Sequence, residues 1–343
     1  MRYFYLVLTL GIVALVPAPG QTGSAPFVGR WDLTMTAPDA TYPSWMEVVD
    51  NGGSPQVRLQ LRTGNAQPAT DSKMDGSHLI VTIPSSEAGP QGTWDFTVKG
   101  GKLTGTQTTG ENVAKVAGAR APALKRAPPK AWTDPMPLFN GKDLTGWEPV
   151  SHTLMSQQNP GSHWVAKDGE ITNEGRGANL RTTKTFDDFK LHLEFNIPEG
   201  ENSGVYLRGR YETQVANAGP GRGRGGPGGP SAPGAPGAPG RGLGGRGGYR
   251  NPAASLGSIY GFLLFPLKDP KPAGEWQTYE ITLVGRWVTI ALNGFTGIDN
   301  QEIPGITGGA LDSNEGAPGP IYFQGDHHGG IRYRNITISV PKR

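Results

Sequence analysis

Two stretches of the 343-residue chain place polar side chains at alternating positions, where a strand would gather them on one face. In residues 190–197, His192, Glu194 and Asn196 alternate with Leu191, Leu193, Phe195 and Ile197. Residues 205–215 read as one long strand, with Tyr206, Arg208, Arg210, Glu212 and Gln214 on one face. Together Arg, Glu, Gln and Tyr supply planar donors and acceptors suited to sugar hydroxyls or carboxylates, although a structural salt-bridge ladder would use the same residues. Asn202 and Ser203 enter that stretch at the rim of its polar face. Near the C-terminus, Gln324-Gly325-Asp326-His327-His328 sets an amide, an acid and two imidazoles between strands. Histidine is the usual general acid or base near neutral pH. Adjacent strand residues point apart, so one His is expected to face a cleft and a His-His metal pair is disfavoured.

The elements that position these residues are strands. From residue 137 onward, segments at 190–197, 204–215, 277–284, 288–292, 321–324 and 331–340 carry strand patterning, and helical periodicity is scarce. So many antiparallel strands in about 200 residues suggest two sheets packed face to face. Residues 27–113 hold shorter alternating segments between Gly, Pro, Asn and Asp turns, a small β domain. Its opening Gly29-Arg30-Trp31 resembles the first strand of a lipocalin-like barrel, but a Gly-x-Trp triplet is a weak signal and a simple small β domain is the preferred reading. Residues 114–133, rich in Ala, Pro, Lys and Arg, read as a semi-rigid linker.

Composition bounds the rest. Zero Cys excludes disulfides, thiolate zinc sites, a Cys nucleophile and a lipoprotein anchor. Arg2, an apolar run over 3–16 and Pro17-Ala18-Pro19-Gly20 have the order of a secretory signal, which suggests export to the periplasm or medium with residues 1–25 removed. The run is too short to span a bilayer comfortably, so no stable membrane anchor is expected. The net charge of +3 hints at an anionic partner. However, Arg222, Arg224, Arg241, Arg246 and Arg250 lie in a Gly/Pro-rich stretch, 217–252, that cannot bury a core and reads as a disordered insertion. The rest of the chain is then near neutral, and a nucleic-acid partner is not expected.

Longer motifs run in order through the second half: Leu138-Phe139-Asn140-Gly141-Lys142-Asp143-Leu144-Thr145-Gly146-Trp147; Asn202-Ser203-Gly204-Val205-Tyr206-Leu207-Arg208-Gly209; Tyr211-Glu212-Thr213-Gln214-Val215; Ile259-Tyr260-Gly261; Gly274-Glu275-Trp276-Gln277; Leu292-Asn293-Gly294; Gly319-Pro320-Ile321-Tyr322-Phe323-Gln324; and Arg332-Tyr333-Arg334-Asn335-Ile336. They resemble the 3-keto-disaccharide hydrolase family over about 137–340. The resemblance implies an all-β fold, a concanavalin-like jelly-roll sandwich with a sugar-binding sheet face, beside the smaller N-terminal β domain. It also implies cleavage of glycosides already oxidised to a ketone at C3. Family members commonly show a tighter Gln-Asp-His-Gly where this chain has Gln324-Gly325-Asp326-His327, and the pattern favours Asp326 and His327 for the cleft.

A C3 ketone acidifies the hydrogen on C2, which opens a route through proton abstraction, loss of the glycosidic oxygen and hydration. That chemistry needs a base, an acid and donors to an enolate oxygen. Glu194, Glu212 and His327 are the acid or base candidates. Asn202, Ser203, Tyr206, Arg208, Gln214, Tyr260, Gln324 and Asp326 are the substrate-binding candidates. Related jelly-roll glycanases of the retaining type carry two carboxylates at alternate positions on one strand; His192-x-Glu194-x-Asn196 has one. Glu, Asp and His on the cleft leave room for a divalent metal, but no spacing signature singles one out. The alternative to an enzyme is a lectin-like module whose polar face binds carbohydrate without reacting.

Overall fold

The computed structural model describes residues 23–62, 64–84, 91–216, 254–268 and 270–342. The insertion at 217–252, and all but the last three residues of the expected export segment, lie outside the described residues. Strands dominate, and Leu154–Gln158 is the one α-helix among the described residues. None of those residues forms a helix long and apolar enough to cross a membrane.

The front unit is a single antiparallel sheet. Its strands lie in the order Ala66–Pro68, Ser54–Gln60, Thr41–Asn51, Gly29–Thr36, Asn112–Arg120, Lys102–Thr109, Gly92–Lys99, His78–Ile83 and Asp71–Asp75. The sheet curls on itself, because Ala69 N–H donates to Val57 O at 2.8 Å and the Ser72 hydroxyl to Pro55 O at 2.5 Å. Alternation sends Trp31, Leu33, Met35, Val48, Leu59, Val81, Trp94 and Phe96 into one core. Each such side chain is worth roughly 1.5–3 kcal/mol on burial.

The unit extends beyond the expected boundary. Residues 112–120, mostly read as linker, form the strand that joins the sheet's two halves. Ala114 and Val116 are buried, and at Gly118 a Cβ would lie 2.6 Å from the Leu33 side chain. The small residues that looked like linker are therefore what lets three strands approach. The remainder is docked on the second unit. Arg126 pairs with Asp187 at 2.5 Å and Asp188 at 3.0 Å, and Thr133 N–H donates to Val340 O at 2.9 Å.

The second unit is a β-sandwich. The larger sheet runs Trp164–Lys167, Glu170–Asn173, Arg332–Ser339, Phe189–Asn196, Trp276–Val284, Trp287–Leu292 and Phe295–Glu302, with Met136–Pro137 also paired to Arg332–Ser339. The smaller runs Trp147–Val150, Asn179–Thr182, Tyr322–Phe323, Asn202–Leu207 and Tyr211–Ala216. Leu191, Leu193, Phe195, Ile281 and Ile290 of the larger sheet share a core with Leu180, Val205, Leu207, Val215 and Phe323 of the smaller.

Polar groups help to join the units. Arg30 reaches Glu302 at 2.6 Å, and Arg286 bridges Glu302 at 3.3 Å and Glu315 at 3.0 Å. Asp32 of the front unit faces Glu315. Burial, and then the neighbouring Glu315 carboxyl, hold Asp32 well above the usual carboxylate range.

Candidate active site

The stretch expected as one strand is a hairpin. Asn202–Leu207 and Tyr211–Ala216 pair antiparallel, with a turn at residues 208–210 where Arg208 and Gly209 adopt φ of 53° and 67°. Positive φ is unfavourable for Arg. Its fully buried guanidinium is tied down by Asp187 at 3.0 Å, the Tyr211 hydroxyl at 3.1 Å and Gly285 O at 3.0 Å. Arg210 pairs with Asp312 at 2.8 Å. These two arginines therefore support the turn and leave the polar face.

The pairing places Tyr206 opposite Glu212 and Gly204 opposite Gln214. Even-numbered residues thus stay on one face, the one turned away from the sandwich core, and Asn202, Tyr206, Glu212 and Gln214 remain together on it. Ser203 faces the other way, with its hydroxyl 2.8 Å from Gln324 O and 3.0 Å from the Tyr333 hydroxyl in the core. Glu194 is on the opposite sheet, held by Arg334 and Asn335 at 2.8 Å each. These contacts draw its carboxyl below the usual value despite partial burial. The two carboxylates grouped by sequence reasoning, Glu194 and Glu212, lie on different layers.

The next strand completes the floor. Tyr322 pairs with Tyr206, and their rings stack with centroids 4.1 Å apart. Gln324 N–H donates to Gly204 O at 3.0 Å, so the Gln324-Gly325-Asp326-His327 loop rises beside the same face. Gly204 is required there, since a Cβ would sit 2.4 Å from Glu212 Oε1. The Thr153 hydroxyl caps the Leu154–Gln158 helix by accepting Ser156 N–H at 3.1 Å and donates to Asp326 Oδ2 at 2.7 Å. His152 packs edge-on to Tyr322 at 5.4 Å and hydrogen-bonds Gly309 O through Nε2 at 2.8 Å. A carbonyl can only accept, so Nε2 carries the proton and Nδ1 is the bare nitrogen. Tyr260 lies on the segment flanking Glu212, its N–H donating to Glu212 O at 3.0 Å.

Burial dominates the electrostatics. The Glu212 carboxyl is pushed up to about 8 by desolvation. The nearby Tyr206 hydroxyl opposes the rise, and the Asp326 charge adds to it. It is therefore mainly protonated at neutral pH. Burial lowers both His152 and His327 below the ordinary histidine value, although Asp326 opposes this in each case, so both are neutral imidazoles. His327 Nε2 lies 3.0 Å from the Asn202 side-chain amide, which donates to it, and 3.7 Å from Asp326 Oδ1. Tyr206 and Tyr322 are held far above the usual phenol range by burial and stay protonated donors.

Five buried acceptors around this floor have no hydrogen-bond partner among the described residues: Glu212 Oε1, Gln214 Oε1, Gln324 Oε1, Asp326 Oδ1 and His152 Nδ1. Unpaired buried acceptors are costly and call for a donor-rich occupant. Among the described residues no three His, Cys, Asp or Glu side chains are grouped to hold a metal ion. Glu212, Tyr206, Gln214, Asn202, Gln324, Asp326 and His327 form one constellation with Tyr260 at its edge. His152, Thr153 and Tyr322 belong to it but escaped sequence reasoning: the first two sit in a loop with no periodic signal, and Tyr322 in a two-residue strand.

The sequence model of the 3-keto-alpha-glucoside-1,2-lyase-like domain matches residues 134–339. Among curated proteins none matches the chain. Three solved structures of inferred glycosyl hydrolases from Parabacteroides distasonis ATCC 8503 are similar to it. The first is 23% identical, covers 62% of this chain and 92% of its own, and has a TM-score of 0.43. The second is 21% identical over 62% and 94%, with a TM-score of 0.41. The third is 22% identical over 56% and 98%, with a TM-score of 0.35.

Proposed function

The chain belongs to the 3-keto-α-glucoside-1,2-lyase-like family, and on that premise we propose that it cleaves glycosides oxidised to a ketone at C3. Membership gives glycosidase-type activity on saccharides. The observation supporting the finer reading is the pairing of a protonated carboxyl, Glu212, with neutral imidazoles on a face rich in unpaired buried acceptors. A sugar supplies the hydroxyl donors those acceptors lack.

His327 takes the proton from C2 at Nε2, which the Asn202 amide must first yield, and the C–H electron pair moves into an enolate whose oxygen at C3 accepts hydrogen bonds from amide donors of the face. The enolate collapses with loss of the C1–O bond, and Glu212 delivers its proton to the departing oxygen. Water then adds to the resulting enone, oxygen to C1 and hydrogen to C2, giving the free 3-keto sugar. A neutral base and a protonated acid must coexist, and burial of both groups favours that pair of states near pH 7.

The test is incubation with a 3-keto-glucoside and its unoxidised parent, with aglycone release followed. Release from the keto substrate alone is expected. Release from neither, with retained sugar binding, would mean a lectin-like module. Export, argued from residues 1–25, belongs to the same proposal and is checked by the N-terminus of protein recovered outside the cytoplasm.

A further inference from the structure

We propose that the front β unit is a positioning element of the active site, its Trp45 and the turn that carries Gln60, Gly64 and Asn65 holding two covering segments against the strand that carries Glu212. The inference rests on reading the Glu212 constellation as that active site.

Residues 256–262 form the first segment, tied to the strand by Tyr260 N–H to Glu212 O at 3.0 Å and Gln214 N–H to Ser258 O at 2.9 Å. Residues 305–309 form the second. There the Thr307 hydroxyl accepts Glu212 N–H at 2.9 Å and donates to Arg210 O at 3.1 Å. Gly308 O accepts the Tyr206 hydroxyl at 2.7 Å, and Gly309 O receives His152 Nε2 at 2.8 Å. Together they cover Tyr206 and Glu212 almost completely, at 1% and 2% exposure.

On their outer side both segments lie against the front unit at backbone distance. A Cβ on Gly308 would fall 1.9 Å from Gly64 O, one on Gly305 2.1 Å from the Trp45 indole nitrogen, and one on Gly261 2.7 Å from Asn65 Cβ. Three glycines of the sandwich unit thus make room for one neighbour. The front-unit turn is itself braced, since Gln60 Nε2 donates to Leu61 O at 2.9 Å and Gly64 O at 2.8 Å. Trp45 meets Phe262 edge-on at 5.4 Å, and Trp45 and Ala66 are buried with the sandwich core, away from the front unit's own. A spacer would need none of this. Because the second segment's carbonyls orient Tyr206 and His152, its position sets where their hydrogen-bonding groups point.

Two variants of the full chain test the inference. Gly308→Ala adds one methyl group whose nearest neighbours are Gly64 and Gln60, at a position outside the left-handed region. Gln60→Ala unbraces the turn and adds no atoms. With the 3-keto-glucoside, each is expected to lower kcat at least tenfold with a smaller change in KM, and to move the alkaline limb of the rate profile below pH 8 as water reaches Glu212. Folded variants with wild-type kcat, KM and limb would overturn the inference; if Gly308→Ala does not fold, Gln60→Ala decides. If the wild type itself turns over no 3-keto substrate, the functional reading fails separately. Positioning is then read from the infrared titration of the Glu212 carboxyl, taken as a difference against Glu212→Gln. A downward shift in the variants supports it, and an unchanged titration overturns it.

Discussion

Replacing Glu212 by Gln probes the site through rate and stability at once. The amide keeps the shape and hydrogen-bonding capacity of the protonated carboxyl but cannot release a proton. General acid catalysis contributes about 10²–10⁴-fold, so kcat should fall by that factor while KM changes little. The stability effect follows from burial. Wild-type Glu212 rises from 4.5 to about 8 on folding, so between those values the folded protein binds more protons than the unfolded chain. Its stability is therefore greatest below about pH 4.5 and falls as the pH climbs toward 8. At about 1.4 kcal/mol per pKa unit, the decline attributable to this group is on the order of 5 kcal/mol. The Gln variant has no such decline. Denaturant unfolding at pH 5 and pH 8 should show the variant gaining on the wild type by a few kcal/mol between the two. A rate profile of the wild type should show its alkaline limb near 8 and an acid limb below 6.5 from His327. Near-wild-type turnover in Glu212→Gln, or a stability difference that does not grow with pH, would refute the reasoning.

Other outcomes are equally specific. Gly204→Ala drives a methyl group to 2.4 Å from Glu212 Oε1, and steady-state assays should find turnover reduced at least tenfold in a protein with an unchanged far-UV spectrum. Glu194→Gln alters a partly exposed ion pair on the opposite sheet; it should leave kcat within about twofold and cost less than about 1 kcal/mol on unfolding. Asp32→Asn removes a carboxyl whose folded value is raised. By the same sign argument the variant should gain on the wild type as the pH rises above 4, which melting temperatures at pH 5 and 8 would register.

Much of this site was legible because strand alternation survives a hairpin. The turn at 208–210 keeps Tyr206, Glu212 and Gln214 on one face, so reading the stretch as one strand still grouped them. The same reading misplaced Arg208 and Arg210, although Gly209 between two arginines is a turn signal. Glu194 alternates as convincingly as Glu212, and a one-strand pattern cannot say which of two layers it joins. The sandwich and its position in the chain were legible from strand length and family motifs. The ninth front strand was not, because Ala114, Ala117, Gly118 and Ala119 look like linker until close packing explains them. His152 reaches the site from a loop, and its role depends on Gly309, more than 150 residues away, a contact that no local pattern encodes.

The most direct test of the central claim is turnover of a 3-keto-glucoside in D₂O, with the C2 position of the released sugar read by mass spectrometry and NMR against sugar incubated without enzyme. Elimination followed by hydration draws the new C2 hydrogen from solvent, so the account predicts deuterium at C2 in the first product formed. Aglycone release with C2 still carrying its original hydrogen, together with no primary isotope effect on a substrate deuterated at C2, would contradict it.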